Sequence, residues 1–341
     1  MRLFRWCVVA CLFLITDGVI TVADAGASSK QPPTTPASGP AVSVPLGITS
    51  GPDGALWFTD LGTKGTSGSI GRITVKGKLT LYTGSGIDRP ADITVGADGA
   101  MWFTNSGNNS IGRITTKGVI TSYTRAGIVA PLGIVAGPHG DLWFTDFSNP
   151  GSLGQVGPVN KITVHSGPDI VHPFGIAAGP KGTLWFTTEA STKVGNGSIV
   201  RFLPDATKPS GGKVTVYANA ALNHPTGITS GPGGTLWFTN YDGNSIGRIS
   251  TKGSVKLFTG KGIDEPYLIA TGPDGALWFT NYGGNSIGRI SPTGTVNIYT
   301  GHGIDAPSGI VTGPDGGLWF TNSGNNTIGR MTVTGTVITY P

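Results

Sequence analysis

Three side chains that can take up or release a proton near neutral pH stand directly before a proline that opens a repeated phrase of the form Pro-x-x-Ile. They are His172, His224 and Glu265, and Tyr267 directly follows one of the same prolines. A histidine beside a carboxylate can act as a general base, so these four residues are the candidates for catalysis. The alternative is that they are loop residues that cap turns and bind water. The distance between His224 and Glu265 would separate the two interpretations.

A second set of polar residues follows another repeated phrase, Trp-Phe-Thr. We call this set the collar: Asp60, Asn105, Asp146, Thr188, Asn240, Asn281 and Asn322. We predict that all of them except Thr188 bind a ligand, together with Arg89, which precedes an opening proline. Their oxygen atoms also suit a hard divalent cation. The Asn-Asn and Gly-Asn pairs at Asn108-Asn109, Asn244 and Asn325-Asn326 are more simply explained as turn residues that accept a left-handed φ.

A long repeat brings these positions together. Seven tryptophans recur at intervals of 41 to 52 residues: Trp57, Trp102, Trp143, Trp185, Trp237, Trp278 and Trp319. Repeats of this length are typical of propellers, helical solenoids or long leucine-rich units. The chain has 57 glycines and 24 prolines, and the repeats contain no stretch with the period of a helix, so helical solenoids are excluded.

Each repeat divides into four short strands. In the sixth repeat they span Leu268 to Thr271, Ala276 to Thr280, Ser286 to Ser291 and Val296 to Thr300, with turn residues between them. The run Leu277-Trp278-Phe279 is apolar on both faces, as a strand must be when its sheet lies between two others. A closed ring leaves no end sheet exposed. The sequence therefore predicts an all-β fold, a seven-bladed β-propeller with four-stranded antiparallel blades.

The repeat also predicts where the candidate residues lie. The units begin at Pro45, Pro90, Pro131, Pro173, Pro225, Pro266 and Pro307. In an up-and-down blade, the link into the first strand and the link from the second to the third strand lie at the same end. We therefore expect the catalytic candidates and the collar to surround one mouth of the central channel. An insertion in the fourth unit, near Pro204 to Gly212, either builds a binding rim or is tolerated drift.

The first 43 residues have a different character. Arginines precede an apolar run from Trp6 to Ile15, and Ala23-Asp24-Ala25 follows, which is the order of a secretory signal peptide. We expect a signal peptide over residues 1–25, a flexible Ser, Pro and Thr linker over residues 26–43 and the propeller over residues 44–341. The mature protein would then be secreted or held in the cell envelope.

Charge and cysteine content restrict the partners. The formal net charge is +5, and the basic residues are spread through the repeats without a dense patch, which argues against nucleic acid. Both cysteines, Cys7 and Cys11, lie in the predicted leader, so thiol catalysis and cysteine metal sites are excluded for the mature chain. Lipid attachment at Cys11 is a less favoured alternative to cleavage. We expect a monomer with no transmembrane helix in the mature chain.

The repeats carry a resemblance to a known family. The phrases Pro-x-Gly-Ile-x-x-Gly-Pro-x-Gly-x-Leu-Trp-Phe-Thr and Asn-x-Ile-Gly-Arg-Ile, repeated over residues 45–341, closely resemble those of virginiamycin B lyases, also called streptogramin B lyases. The resemblance implies a seven-bladed propeller. It also implies an elimination, assisted by Mg²⁺, that opens a cyclic depsipeptide antibiotic at its ester C–O bond.

The resemblance is weaker at the family's catalytic positions. In the family, histidines follow the sixth and seventh opening prolines, a glutamate precedes the seventh and a tyrosine follows the first. Here these positions hold Tyr267, Ser308, Ala306 and Leu46, in that order. A shift of the ring by one unit places Glu265 at the glutamate position, but Tyr267 then stands where the family has histidine.

Two functions remain open. The favoured one is a non-catalytic exported propeller that binds a small molecule, peptide or glycan at the channel mouth. The alternative is an enzyme, either a divergent Mg²⁺-dependent lyase that inactivates streptogramin B antibiotics or a lactonase-like hydrolase. In an enzyme, His172, His224, Glu265 and Tyr267 would carry the chemistry, and the sequence does not indicate the metal ligands.

Overall fold

The protein, described here by a computed structural model, is a ring of seven sheets around a central channel. The structure describes residues 41–189, 196–205, 207–208 and 211–341. Each sheet has four antiparallel strands that are adjacent in sequence and in space, so each repeat forms one blade. The prediction of an all-β, seven-bladed propeller is confirmed. The predicted signal peptide, residues 1–25, and most of the predicted linker, residues 26–43, lie outside the described residues.

The strands are short, as their turn-rich sequence predicts. Blades 1 and 2 contain β1 Pro45–Ser50, β2 Ala55–Asp60, β3 Ser69–Thr74, β4 Leu79–Tyr82, β5 Pro90–Val95, β6 Met101–Asn105, β7 Ser110–Ile114 and β8 Ile120–Thr124. Blades 3 and 4 contain β9 Pro131–Ala136, β10 Leu142–Asp146, β11 Ser152–Val156, β12 Ile162–Ser166, β13 Pro173–Ala178, β14 Leu184–Thr188, β15 Ser198–Pro204 and β16 Gly212–Ala218.

The remaining blades repeat this plan. Blade 5 contains β17 Pro225–Ser230, β18 Leu236–Asn240, β19 Ser245–Ile249 and β20 Val255–Phe258. Blades 6 and 7 contain β21 Pro266–Thr271, β22 Leu277–Asn281, β23 Ser286–Ile290, β24 Val296–Tyr299, β25 Pro307–Thr312, β26 Leu318–Asn322, β27 Thr327–Met331 and β28 Val337–Tyr340. Short 3₁₀ turns span Pro138–Gly140, Pro158–Asn160, Pro180–Gly182 and Pro232–Gly234. In the described part of the chain, no helix is long and apolar enough to span a membrane.

The core lies between the blades and is supplied mainly by each second strand. The seven repeat tryptophans are buried, with 0–3% of their surface exposed. Trp57 shares a buried cluster with Phe103 of blade 2, and Trp319 of blade 7 shares one with Leu56 and Phe58 of blade 1. Each buried tryptophan removes about 150–250 Å² from water, worth at most about 4–6 kcal/mol. The junction of the chain's two ends is therefore packed like the junctions inside the ring.

A threonine after each Trp-Phe pair joins neighbouring blades. Thr239 Oγ1 accepts a hydrogen bond from the Gly227 N–H of its own blade (2.8 Å) and donates one to the Tyr267 carbonyl of the next blade (2.6 Å). A bulge after the opening proline frees these groups from their own sheet. We call these threonines the blade latches: Thr59, Thr104, Thr145, Thr187, Thr239, Thr280 and Thr321. The last one donates to the Leu46 carbonyl and closes the ring (2.6 Å).

In four blades, the tryptophan and an arginine both donate a hydrogen bond to one aspartate. This aspartate lies at the end of the blade where the first two strands are joined. In blade 6, Asp274 accepts hydrogen bonds from Trp278 Nε1 (3.0 Å) and Arg289 Nε (2.6 Å). The same arrangement holds Trp57, Trp102 and Trp319. Blades 3 and 5 have no aspartate at this position, and the Nε1 atoms of Trp143 and Trp237 have no hydrogen-bond partner within the described residues.

Candidate functional site

The mouth of the channel is the end at which each first strand begins and each second strand ends. Every residue that enters a blade there, directly before the opening proline, has a φ between 42° and 88°, a region that residues other than glycine seldom adopt. We call these the entry residues: Val44, Arg89, Ala130, His172, His224, Glu265 and Ala306. Because all seven share this conformation, it belongs to the fold and places the predicted Arg89, His172, His224 and Glu265 at equivalent points of the mouth.

A second residue of each blade is tied to the entry residue. The N–H of Tyr241, which follows the collar residue Asn240, donates to the His224 carbonyl (3.1 Å). The same bond joins Leu61 to Val44, Ser106 to Arg89, Phe147 to Ala130, Glu189 to His172, Tyr282 to Glu265 and Ser323 to Ala306. We call the residues that follow the collar the rim residues. Each blade therefore presents an entry residue and a rim residue at the mouth, and their identities determine its chemistry.

The collar residues are buried and hold the loops of the mouth in place. Asn240 accepts a hydrogen bond from the Asn223 N–H (2.7 Å) and donates to the Ala221 carbonyl (3.1 Å) and the Ser245 hydroxyl (2.9 Å). The other predicted ligand-binding members hold the corresponding loops: Asp60, Asn105, Asp146, Asn281 and Asn322. These bonds give the collar a structural role, and its contact with a ligand stays a prediction.

Two of these collar positions carry an acid instead of an amide. Burial raises the pKa of Asp146 to about 7, although hydrogen bonds from the Val129 N–H (2.9 Å) and the Ser152 hydroxyl (3.2 Å) favour its ionised form. Burial also raises the pKa of Asp60. The carboxyl group of Asp146 is therefore partly protonated at neutral pH.

Aromatic side chains from blades 3 to 6 line one arc of the mouth. Phe174 and Tyr267 are buried, and their ring centroids lie 5.9 Å apart. Phe147 packs edge-on against Phe174 at 6.3 Å. The rings of Tyr241 and Tyr282 lie 6.1 Å and 6.0 Å from that of Tyr267. We call these five residues the aromatic wall, of which the three rim residues Phe147, Tyr241 and Tyr282 are partly exposed.

His172 extends this wall. Its imidazole stacks on the ring of Phe147 with centroids 5.0 Å apart, and burial lowers its pKa. Burial likewise raises the pKa of the Tyr267 phenol. Both side chains are therefore held in their neutral forms, and they add apolar surface to the arc.

His224 has two acidic neighbours, Asp242 and Glu189. Its Nδ1 lies 2.5 Å from Asp242 Oδ2, and this hydrogen bond raises the pKa of the imidazole. The charge of Glu189, the rim residue of blade 4, raises it further. Burial raises the pKa of Glu189 to about 7, while His224 lowers that pKa and Asp242 raises it. We call Glu189, His224 and Asp242 the acid–base cluster.

Glu265 is bound to the aromatic wall. Its Oε2 accepts a hydrogen bond from the Tyr241 hydroxyl (3.2 Å), and burial together with the Glu265 charge raises the pKa of Tyr241. Of the four predicted catalytic residues, His224 is thus bonded to Asp242, and Glu265 accepts a hydrogen bond from Tyr241.

The channel below the mouth is narrow. Its cavity has a volume of about 60 Å³, which is room for only a few water molecules. The lining includes one carboxylate, Asp92, whose oxygens accept hydrogen bonds from the N–H groups of Ile93 (2.9 Å) and Ile134 (3.0 Å). Burial raises the pKa of Asp92 to about 6. A larger ligand therefore has to bind at the mouth.

Among the described residues, the mouth does not present the Mg²⁺ site that the resemblance implies. Magnesium needs oxygen ligands in near-octahedral geometry. In that part of the chain, no three His, Cys, Asp or Glu side chains come together as a group that could hold a metal ion. Asp242 and Glu265 are each engaged by another side chain.

The sequence analysis did not include Glu189, Asp242, Asp92 or the rim aromatics among the site residues. Each of them nevertheless departs from the repeat at a recognisable position. Asp242 stands where four other units have glycine, and Asp92 stands where five have glycine. The rim residues share the position directly after the collar. A comparison of the seven units at these positions would have identified them.

The comparisons with known proteins agree with this geometry. The family model described as the virginiamycin B lyase family matches residues 21–203 and 206–341. No curated protein matches the chain. The chain is 31% identical to a catalytically inactive virginiamycin B lyase variant from Staphylococcus aureus solved with quinupristin, with a TM-score of 0.74 over 89% of this chain and 98% of that one. A streptogramin B lyase structure gives 32% identity and a TM-score of 0.73, over 89% and 96% of the two chains.

A more distant likeness concerns the fold alone. A gluconolactonase from Xanthomonas campestris shares 16% identity, with a TM-score of 0.55 over 72% of this chain and 85% of that one. The family match, in contrast, extends over the whole ring and is supported by both lyase structures. This chain therefore belongs to the virginiamycin B lyase family.

Proposed function

We propose that this chain is an exported propeller that binds an organic ligand at the mouth of its channel. The observation that carries the proposal is the aromatic wall, which places five aromatic side chains on one arc beside His224, Asp242 and Glu265. Concave sites that combine aromatic surface with a few polar groups are typical of small-molecule sites. A small molecule, a peptide and a glycan are the ligand classes that suit this surface.

The leader sequence supports export. Residues 1–25 have the order of a signal peptide, and residues 26–43 have the composition of a linker. Export would bring the mouth into contact with compounds outside the cell or in its envelope.

The side chains at the family's catalytic positions support binding over elimination at those positions. Leu46 and Ala306 have no titratable group, and Ser308 is buried and bonded to the Ser323 hydroxyl (3.1 Å). Tyr267 is held as a neutral phenol by burial, which raises its pKa. An elimination needs a base beside the substrate, and these four positions supply none at neutral pH.

Calorimetric titration of the chain lacking residues 1–25 with quinupristin tests the proposal. Tyr241→Ala and Phe147→Ala should each weaken binding by about tenfold, because each removes an exposed ring of the aromatic wall. Ser106→Ala is the matched control, since Ser106 is the rim residue of blade 2, outside the arc of blades 3 to 6, and the affinity of this variant should equal that of the wild type. Equal affinity of the wall variants and the wild type would contradict the proposal.

A second function, elimination by a displaced base, is favoured by the His224–Asp242 bond. That bond orients an imidazole on blade 5, whereas the family's catalytic histidines lie on blades 6 and 7. Incubation with quinupristin and Mg²⁺ would then give a linear product of unchanged mass, and His224→Gln and Glu265→Gln would abolish it. Mass spectrometry of the products decides this alternative.

A further inference from the structure

We infer that the acid–base cluster hydrolyses a carboxylic ester held on the aromatic wall, with His224 as the base and Glu189 as the acid. The inference rests on the proposed function, because the ester must first bind at the mouth. Its substrate class is an ester with apolar groups, including cyclic esters. Asp242 is a positioning residue in this scheme.

Asp242 holds His224 in the form that a base requires. Because Asp242 Oδ2 accepts from Nδ1 over 2.5 Å, the neutral imidazole carries its proton on Nδ1 and its lone pair on Nε2. The side chain of His224 is 34% exposed, so water reaches the ring. The Asp242 carboxylate also stabilises the imidazolium that forms when Nε2 takes a proton.

Glu189 is suited to donate a proton. Its carboxyl group is largely buried, and its pKa of about 7 leaves much of it protonated at neutral pH. Glu189 is the rim residue of blade 4, and His224 is the entry residue of blade 5. At the next junction the side chains at these two positions are in contact, since Tyr241 donates a hydrogen bond to Glu265 (3.2 Å). By this equivalence we place Glu189 beside His224, where a ligand bound at the mouth would contact both groups.

The chemical steps balance without a metal or a redox partner. His224 Nε2 takes a proton from water while the water oxygen bonds to the ester carbonyl carbon. The carbonyl electron pair moves to oxygen and returns as the C–O bond to the alcohol breaks. The leaving oxygen keeps the electron pair of that bond and takes the proton of Glu189. Transfer of the proton from His224 to the Glu189 carboxylate then restores both groups, and the products are an acid and an alcohol.

The pairing of a base with a protonated acid distinguishes hydrolysis from elimination. In the elimination of an ester the leaving group is a carboxylate, which is stable as an anion at neutral pH. In hydrolysis the leaving group is an alkoxide, which is strongly basic and has to be protonated. Glu189 supplies the proton that only the second reaction needs.

The experiment uses the chain lacking residues 1–25 with two probes, quinupristin and p-nitrophenyl acetate, in water enriched in ¹⁸O. We expect a linear quinupristin product that has gained one water, with the label in its new carboxyl group, and release of p-nitrophenol. His224→Gln should lower the rate with both probes, and Glu189→Gln should lower the rate with quinupristin, at least about a hundredfold. Calorimetric binding of quinupristin should persist in both variants, which also shows that they fold. Asp264→Asn, an exposed carboxylate on a loop of the next blade, is the matched control and should retain the full rate.

Four other outcomes would overturn part or all of the inference. Binding of quinupristin by the wild type without hydrolysis of either probe overturns the inference and leaves the proposed function standing. A linear product of unchanged mass overturns it in favour of elimination. Hydrolysis by His224→Gln at the wild-type rate overturns the assignment of the base. Failure of the wild type both to bind and to hydrolyse the probes overturns the inference and the proposed function together.

Discussion

At the scale of single residues, His224 and its acidic neighbours occupy positions that every blade presents. It is the entry residue of blade 5, Asp242 lies one residue beyond the rim, and Glu189 is the rim residue of the preceding blade. In blade 1, the entry and rim positions hold Val44 and Leu61, which have no acid–base chemistry. The left-handed φ of an entry residue costs on the order of 1–3 kcal/mol, and the fold accepts this cost seven times. The backbone at these positions is thus the same in each blade, and only the side chains that differ from the repeat give blade 5 its acid–base groups.

The acid–base cluster predicts a bell-shaped dependence of kcat/KM for ester hydrolysis on pH. The rate should rise as His224 loses its proton, at a pH above the ordinary value because Asp242 raises the pKa of the imidazole. It should fall as Glu189 loses its proton, since the pKa of that carboxyl group is about 7. Asp242→Asn removes the negative charge and should move the rising limb to lower pH. A rising limb that stays in place in this variant would show that Asp242 does not position the base.

At the scale of elements, the collar explains how the loops between blades are held at the mouth. An asparagine at the end of a second strand both accepts from and donates to the loop that arrives from the previous blade, as Asn105 does with the Asp88 N–H (2.9 Å) and the Gly86 carbonyl (3.0 Å). Asp146 at the same position can accept but cannot donate when it is ionised. The loop that enters blade 3 is therefore held by weaker hydrogen bonding at high pH.

Asp146→Asn should stabilise the protein in a pH-dependent way. The folded-state pKa of Asp146, about 7, is above the ordinary value of 3.8, so the contribution of the carboxyl group to stability is fully present at low pH and is lost as pH rises through about 7. We expect the variant to be more stable than the wild type by a few kcal/mol at pH 8, and by much less at pH 4. Thermal unfolding at the two pH values measures this difference.

The reverse substitution is the control for this prediction. Asn240→Asp should destabilise the protein at pH 8 and have a smaller effect at pH 4, because it places an ionisable group at the same buried position of blade 5. A stability difference that does not change with pH, in either variant, would contradict the role assigned to the collar acid.

The sequence predicts the strands more accurately than it predicts the side-chain contacts between them. The strands of the sixth repeat were placed within two residues of their observed ends, because seven copies show the same division into apolar runs and turns. Asp274 lies in the turn between two predicted strands, but its bond to Arg289 depends on the register that sets Trp278 opposite Arg289. The role of Asn240 depends in the same way on a loop from another blade. Such contacts are tertiary, and the spacing of residue types does not encode them.

At the scale of the whole molecule, the closing junction repeats the bonds of the other junctions. The Val44 N–H donates to Asn326 Oδ1 (3.1 Å), as the Glu265 N–H donates to Asn244 Oδ1 inside the ring (2.7 Å). The closing junction thus carries the same entry-residue bond as the junction between blades 5 and 6, and the arc of blades 3 to 6 is held in place from both sides. This equivalence of the junctions can be measured.

Thr321→Val and Thr59→Val should destabilise the protein equally, by about 2 kcal/mol. Valine has nearly the shape of threonine, but at the closing junction it leaves the buried Gly309 N–H and Leu46 carbonyl without the hydroxyl that bridges them. The substitution at Thr59 has the same effect on the Gly47 N–H and the Ala91 carbonyl inside the ring. Thr293→Val, at an exposed turn, should change stability little. If blades 1 and 7 met at a weaker seam, Thr321→Val would instead produce a separate early unfolding step or no loss at all, and the equilibrium unfolding curves of the three variants distinguish these cases.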